Sequence, residues 1–378
     1  MRQLKNVYLN ISRRLMRMPT WQKAIVTTVT LCVALMGVWL LTIGAQNFFT
    51  DVEPESGKLK GGARVVDDAG ASGGKAIQFN TSQPPAPSPA PPTPTSPAPE
   101  SGVRGAKLYV HPRLSEEGRP APISSQPIAH WVGDWTPNVR GEIHGVVTTA
   151  AARGEMPVFV AYNIPARDCG LYSAGGAGSS AAYRAWIREF AAGIGQRKAI
   201  VILEPDALAG MDCMSAGDQN TRIADLVDAV NALKAYSQAF VYLDAGNSGW
   251  HPAEVIADRL SRANIANAQG FALNVSNFIS TSETAAFADK LAVKLGGKRY
   301  VIDTSRNGQG RAPDHAWCNP PGRGLGARPT TSPGIGQYAD AHLWIKVPGE
   351  SDGSCDGAPE AGHWYEAYAQ ELIRNAVY

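Results

Sequence analysis

From Lys107 onward, short apolar runs alternate with longer stretches in which apolar residues recur every three or four positions. The short runs are Lys107–Val110, Pro157–Tyr162, Ala199–Leu203, Ala239–Leu243, Gly270–Val275, Tyr300–Ile302 and His342–Val347. They are rich in β-branched and aliphatic residues, and each predicts a buried strand. The longer stretches predict helices. In Ala181–Ile194, Trp186, Phe190 and Ile194 stand four apart; in Arg222–Ala235, Ile223, Leu226, Val227, Val230 and Leu233 form one stripe. Pro252–Ala263 opens on a proline suited to the first helical turn, and Thr281–Leu295 and His363–Ala376 complete the set. Alternation of strand and helix predicts an α/β fold with a parallel sheet. The seven runs fit a (β/α) barrel short of its full complement. A doubly wound open sheet is the alternative, but no G-x-G-x-x-G follows the first run, which weakens a dinucleotide role.

Upstream the pattern changes. Ala24–Ala45 is apolar and uncharged, and ~20 such residues match the thickness of a bilayer's hydrocarbon core. Arg2, Lys5, Arg13, Arg14, Arg17 and Lys23 all precede it. The positive-inside rule then predicts a cytoplasmic basic segment (1–23), a transmembrane signal anchor (24–45) and an extracytoplasmic remainder held at the plasma membrane. A cleaved signal peptide, which would leave the protein secreted, is the alternative; its apolar core is usually shorter, roughly 7–15 residues. Residues 46–103 show little apolar periodicity, and Gln83–Pro99 is a Pro/Ser/Thr tract. They predict a disordered linker that spaces a folded domain, 104–378, away from the membrane.

Charge and cysteine content fit that division. Setting the six N-terminal basic residues aside leaves 29 of the 35 against 33 acidic residues, so the folded part is slightly acidic and nucleic acid is not the expected partner. Cys32 lies in the apolar span; Cys169, Cys213, Cys318 and Cys355 remain, an even number in an oxidising compartment. Disulfides are expected, with all three pairings open. Zinc fits less well, since no C-x-x-C pair or close His partner exists. Nothing in the sequence marks an oligomer interface, and a monomer is expected.

Polar residues collect where the apolar runs end. In Val201–Leu208, V-I-L-E-P-D-A-L, an aliphatic run stops at Glu204 and Asp206 with Pro205 between them. Either acid could cap a following helix. Yet Tyr162, Arg167 and Asp168 follow the second run, Asp244 and Trp250 the fourth, and Asn274 and Asn277 the fifth. Asp303, Arg306 and Asn307 follow the sixth, and Lys346, Glu350 and Asp352 the seventh. A barrel places all of these around one mouth. No G-x-S-x-G or zinc-spaced histidine pair accompanies them. Acids opposed across a cleft with aromatic residues nearby suit glycosidic bond cleavage, in which one carboxyl group protonates the leaving oxygen and another activates water. Trp186 and Trp344 read as core; Trp250 and Trp317 lie in Gly/Pro-rich loops suited to stacking on sugar rings.

Five ordered blocks carry a family resemblance: Ala161–Gly170, Val201–Leu208, Tyr242–Trp250, Trp317–Gly326 and Trp344–Gly353. The chain from about residue 107 to 378 resembles glycoside hydrolase family 6, the family of endoglucanases and cellobiohydrolases. The resemblance implies a distorted seven-stranded barrel that hydrolyses β-1,4-glucan with inversion and needs no cofactor or metal. It implies Asp206 as proton donor, Asp168 as the acid that keeps Asp206 protonated and orders water, and Asp352 as candidate base, directly or through a water relay. It gives Asp244 a supporting role and places Tyr162 beneath the distorted sugar. Trp250, Asn277, Trp317, Lys346 and Glu350 become sugar-contacting positions, and the pairings become Cys169–Cys213 and Cys318–Cys355. The role of Glu204 stays unassigned. Two positions depart from the family pattern: Ala166 where Gly is common, and Asn247 where His is common.

Elementary electrostatics supports the acid pair. An ionised Asp168 would raise the pKa of Asp206, and Arg167 beside Asp168 would favour that ionisation. Only Gly353 and Ser354 separate Asp352 from Cys355, and Gly170–Ser180 is short and glycine-rich, so an open cleft and internal cleavage are expected. The rival readings are a membrane-tethered β-glucan-binding protein with little turnover, and a hydrolase of a mixed-linkage or envelope glucan.

Overall fold

The computed structural model describes residues 63–67, 75–79, 102–236 and 238–378. In the N-terminal unit, strands β1 (Ala63–Asp67) and β2 (Lys75–Phe79) pair antiparallel, with Val65 opposite Ile77. This hairpin lies in the segment expected to be a structureless linker. Its strands are short, and the Gly/Ser/Asp-containing sequence between them hides them in a polar stretch. The basic segment 1–23, the apolar span 24–45 and the tract 83–99 lie outside the described residues. Among the described residues no helix is long and apolar enough to cross a membrane.

The second unit, 94–378, is built on seven parallel strands in chain order. These are β3 (His130–Gly133), β4 (Val158–Tyr162), β5 (Ala199–Leu203), β6 (Ala239–Asp244), β7 (Gly270–Leu273), β8 (Arg299–Asp303) and β9 (Ala339–Leu343). Two single turns, α1 (Arg113–Glu116) and α2 (Ala121–Ser124), precede the sheet. Crossover helices α3 (Val139–Ala152), α4 (Ser180–Ile194), α5 (Ala216–Lys234), α6 (Ala253–Arg262) and α7 (Thr281–Lys294) link successive strands, and α8 (Glu366–Arg374) follows β9. Side chains of Asn138, Ser179, Ser215 and Ser280 cap four of these helices, which fixes where each chain segment leaves the sheet. β8 and β9 are joined without a helix, by residues 304–338.

The strands read as nearly unbroken apolar runs because both faces are buried. Phe159, Ala161, Val201 and Leu203 pack towards the helices, while Val158, Val160, Ile200, Ile202, Tyr242 and Val301 fill the concave side. The sheet curls, but β3 and β9 form no ladder. Their edges meet through a single parallel bridge, Ile128 with Trp344, with Ala129 N–H donating to Trp344 O at 2.9 Å and the Trp131 indole donating to Ile345 O at 2.7 Å. The expected barrel is thus a curled sheet with a seam.

Two strand expectations are corrected at that seam. Lys107–Val110 is not a sheet strand: Leu108 forms only an isolated bridge to Met156, and the first strand is His130–Gly133. The last strand is Ala339–Leu343 and stops before Ile345 and Lys346, because their N–H groups turn to the Asp303 carboxylate at 3.2 and 3.0 Å.

Candidate active site

The carboxyl ends of the strands are held in unusual backbone conformations. Among the described residues, Ala166, Asp168, Cys169, Glu204, Asp206, Asn274 and Ser276 all have positive φ, between 50° and 67°, although none is glycine. Each costs about 1–2 kcal/mol relative to an ordinary conformation, so the surroundings must enforce it. At β5 the enforcing group is Glu204. Its buried carboxylate accepts hydrogen bonds from Asn163 N at 3.1 and 2.9 Å and from Ile164 N at 3.0 Å, tying the end of β5 to the exit of β4. Burial raises its pKa to about 7, against the pull of those N–H donors. Neither Glu204 nor Asp206 caps a helix: a short turn, Ala209–Cys213, comes next, and Ser215 caps α5.

Asp206 is half-buried, and its N–H donates to Asp244 Oδ1 at 2.9 Å. Burial and then the charges of Asp244 and Asp168 push the Asp206 carboxyl well above the usual carboxylate range. Asp244, at the end of β6, also accepts from Gly246 N at 2.9 Å, while its buried Oδ2 has no partner. Its pKa is pushed up to about 7, chiefly by burial. Asp168 accepts from Ser173 N at 2.7 Å. Its pKa is raised by burial, which exceeds both that bond and the attraction of Arg167.

Arg167 serves Asp168 less directly than the sequence suggests. Its Nη1 donates to Asp134 Oδ1 at 3.1 Å and to Tyr162 O at 2.8 Å, and its Nε donates to Ser173 O at 2.8 Å. The guanidinium lies between the Tyr162 and Trp135 rings, 4.5 and 5.3 Å from their centroids. Tyr162 is buried and meets Trp131 edge to face. The charges of Asp206 and Asp168 both act on its hydroxyl, which places the ring beside the acid pair.

Asp352 is the opposite electrostatic case. Arg306, fully buried, donates to its Oδ2 at 2.9 Å, Asn319 N donates to the same oxygen at 3.0 Å, and Lys346 Nζ lies 3.6 Å from Oδ1. Burial alone would raise its pKa, but Arg306 and Lys346 outweigh that and hold it below the ordinary value. Behind this group sits Asp303, whose two oxygens accept from Ser305, Ile345, Ser276 and Lys346 backbone N–H groups at 2.9–3.2 Å. One buried carboxylate thus fixes the loops after β7, β8 and β9.

The two sets of acids are joined through Tyr172, whose ring lies so close to Gly353 that a Cβ there would overlap it. The loop bearing Asp168 therefore touches the loop bearing Asp352. Tyr172 also meets Trp317, with ring centroids 6.0 Å apart. Trp317 and Trp250 are 46% and 43% exposed, enough to present a ring face to a ligand. Trp250 packs over Gly246, beside Asp244. Asn277 turns its Oδ1 back to Phe278 N, and Glu350 pairs with Arg113 at 3.4 Å. Disulfides Cys169–Cys213 and Cys318–Cys355 pin the loops that carry Asp168 and Trp317.

Residues 101–376 match the sequence profile of Glycosyl hydrolases family 6. The chain belongs to that family. Endoglucanase A of Cellulomonas fimi is 44% identical over 257 residues, covering 67% of this chain and 55% of the relative. Endoglucanase A of Thermobispora bispora is 47% identical over 261 residues, covering 68% and 56%. The chain thus spans about half the length of these curated relatives. The crystal structure of an endoglucanase from Mycobacterium tuberculosis, in complex with methyl-cellobiosyl-4-deoxy-4-thio-β-D-cellobioside, superimposes with a TM-score of 0.70 at 42% identity, over 72% of this chain and 98% of that one.

In this family 6 domain, Asp134 and Trp135 both contact Arg167, and the apolar pattern does not mark them. Both follow β3, a strand too short and polar to register in that pattern, so neither stands at a legible strand end. Trp135 is 52% exposed, and the W-V-G-D-W stretch carrying it was the signal available. Asp303 and Arg306 were seen as strand-end polar residues, but their supporting roles depend on contacts between distant loops.

Proposed function

We propose that this domain hydrolyses internal β-1,4-glucosidic bonds of cellulose or a related β-glucan with inversion at the anomeric carbon. The observation that carries the reading is the electrostatic contrast between Asp206, pushed well above the carboxylate range, and Asp352, held ionised by Arg306 and Lys346. A glucan chain lies across the ends of the strands, with sugar rings against Trp317 and Trp250 and the ring to be cleaved over Tyr162. Asp206 donates its proton to the departing glycosidic oxygen. Water attacks from the opposite face, ordered by Asp168, and its proton passes to Asp352 directly or through a second water. Lys346, Glu350 and Asn277 contact sugar hydroxyls. Asp244 holds the backbone of Asp206. The endo mode is supported by the short loop after Asp352, by the exposure of the tryptophans and by the names of the relatives.

The deciding experiment combines viscosity loss and reducing-sugar release on soluble cellulose derivatives and mixed-linkage glucan with NMR detection of the first anomer formed. A fast viscosity drop and an α-anomeric product support the reading. Binding without sugar release, or cellobiose as sole product at constant viscosity, sinks it. The N-terminal segment completes the proposal: the basic residues and the span 24–45 anchor the chain in the plasma membrane with the domain outside. Retention of the intact chain in carbonate-washed membranes supports this, and its recovery as a shortened soluble form points to secretion.

A further inference from the structure

A groove of about 670 Å³ lies between the segment before α1 and helix α3, and none of the strand-end acids lines it. Tyr109, His111, Asn138, Glu142, Thr149 and Arg153 are among its walls. Three potential donors from three separate segments converge, two of them, His111 and Glu142, on the groove wall. His111 stands just before α1, His130 is the first residue of β3, and Glu142 is in the first turn of α3. Their donor atoms all lie within 4.8 Å of one another. His130 Nε2 is 3.0 Å from Glu142 Oε1, and the two imidazoles stack with centroids 4.9 Å apart and planes within 16°. Phe159 supports the His130 ring from its edge at 6.1 Å.

We propose that His111, His130 and Glu142 bind a divalent transition metal of the zinc type, with a fourth coordination position open to the groove. Two imidazoles and one carboxylate form a donor set that zinc favours when it keeps one position for water. At metal–ligand bonds of about 2.0–2.1 Å, two donors on one tetrahedral ion stand roughly 3.3 Å apart. The His130–Glu142 separation of 3.0 Å is close to that spacing, and the His111 ring must turn out of its stack on His130 before its lone pair points at the same ion. Ligation requires a lone pair from each ring. His130 moves its proton from Nε2 to Nδ1. The Nδ1 of His111 accepts from Arg113 N at 3.1 Å, and that bond is given up whichever ring nitrogen ligates. Arg113, which could repel an ion, has its guanidinium directed to Glu117 and Glu350. None of the strand-end acids lines the groove, and the glucanase reading assigns no role to His111, His130 or Glu142.

The test uses the full chain without an affinity tag, freed of metal with EDTA and titrated with ZnCl2 by calorimetry. About one equivalent should bind, the melting temperature should rise, and EDTA should reverse the rise. Glu142→Gln keeps the size of the side chain and an acceptor for His130. It should weaken zinc binding by about tenfold or more while leaving the metal-free melting temperature and far-UV spectrum unchanged. His111→Ala, on the groove wall, should do the same. Co2+ in place of zinc should give the visible bands of a four-coordinate ion in the parent and lose them in Glu142→Gln. Absence of zinc binding up to about 1 mM, a weakness of roughly −4 kcal/mol or less, overturns the proposal. So does equal affinity in the parent and both variants.

Discussion

After burial, the charge of Asp244 is what most raises the Asp206 carboxyl, whereas Asp244 itself receives the Asp206 N–H and feels the charge of Asp303. Removing the proton that Asp206 carries should abolish its role as acid. Asp206→Asn is expected to lower kcat by about 10²–10⁴-fold on soluble cellulose derivatives, since that is the range general acids supply. Asp244→Asn keeps an acceptor for Asp206 N–H but removes the neighbouring charge. The alkaline limb of the kcat/KM profile should then move to lower pH, because less repulsion opposes ionisation of Asp206. An unmoved limb would mean that burial and Asp168 set it. Ala166 is a second residue-scale case. The family's usual glycine at this site is explained by φ of 53°, which alanine adopts only under strain. Ala166→Gly should therefore stabilise the domain by about 1 kcal/mol in urea denaturation. The strand-end acids were legible in the sequence, because polar residues after apolar runs are visible locally. Their left-handed backbone was not, since it is imposed by Glu204 and other contacts from neighbouring strands.

At the scale of elements, the two buried supporting acids act as fasteners between loops. Asp303 satisfies four backbone N–H groups from three loops, and Asp303→Ala would leave them all without an acceptor. A loss of roughly 3 kcal/mol or more is expected from unsatisfied donors of this kind, read by chemical denaturation. Glu204 and Asp244 impose a pH dependence on folding. Each has a folded pKa near 7, above its unfolded value near 4, so the folded state binds more protons between those limits. Their stabilising contribution is complete below about pH 4 and is lost as pH rises towards 7, at up to about 1.4 kcal/mol per unit for each group. Glu204→Gln should flatten the fall in melting temperature between pH 5 and pH 8; an unchanged fall would assign it to other groups. β4 to β8 were readable as apolar runs because both their faces are covered. β3 was not: it holds four residues and includes His130, Trp131 and Gly133, so it carries little apolar signal. The end of β9 is hidden for a different reason, since Ile345 and Val347 are apolar but lie beyond the ladder, where the Ile345 and Lys346 N–H groups turn to Asp303.

For the whole molecule, the disulfides close loops with sequence separations of 44 and 37 residues around the acid-bearing segments. Replacing the Cys318–Cys355 pair with serines should cost about 2–5 kcal/mol and lower the melting temperature, as reduction of the parent should. Overall topology was accessible from the alternation of strand and helix, and the missing β3–β9 ladder was not, because closure depends on how far the sheet curls.

That seam gives the molecule a direction in which to come apart. β5 and β6 are paired on both sides, whereas β3 and β9 each have one ladder and a single bridge between them. Amide hydrogen exchange should be slowest in β5 and β6 and faster in β3 and β9. Asp206 and Asp244 are therefore carried by the most persistent strands, while Asp352 follows the strand that frays early. On gentle heating, the domain should lose turnover at a temperature where most of its helix signal survives. Cooling from that point should restore it, since the half that carries the proton donor has not yet let go.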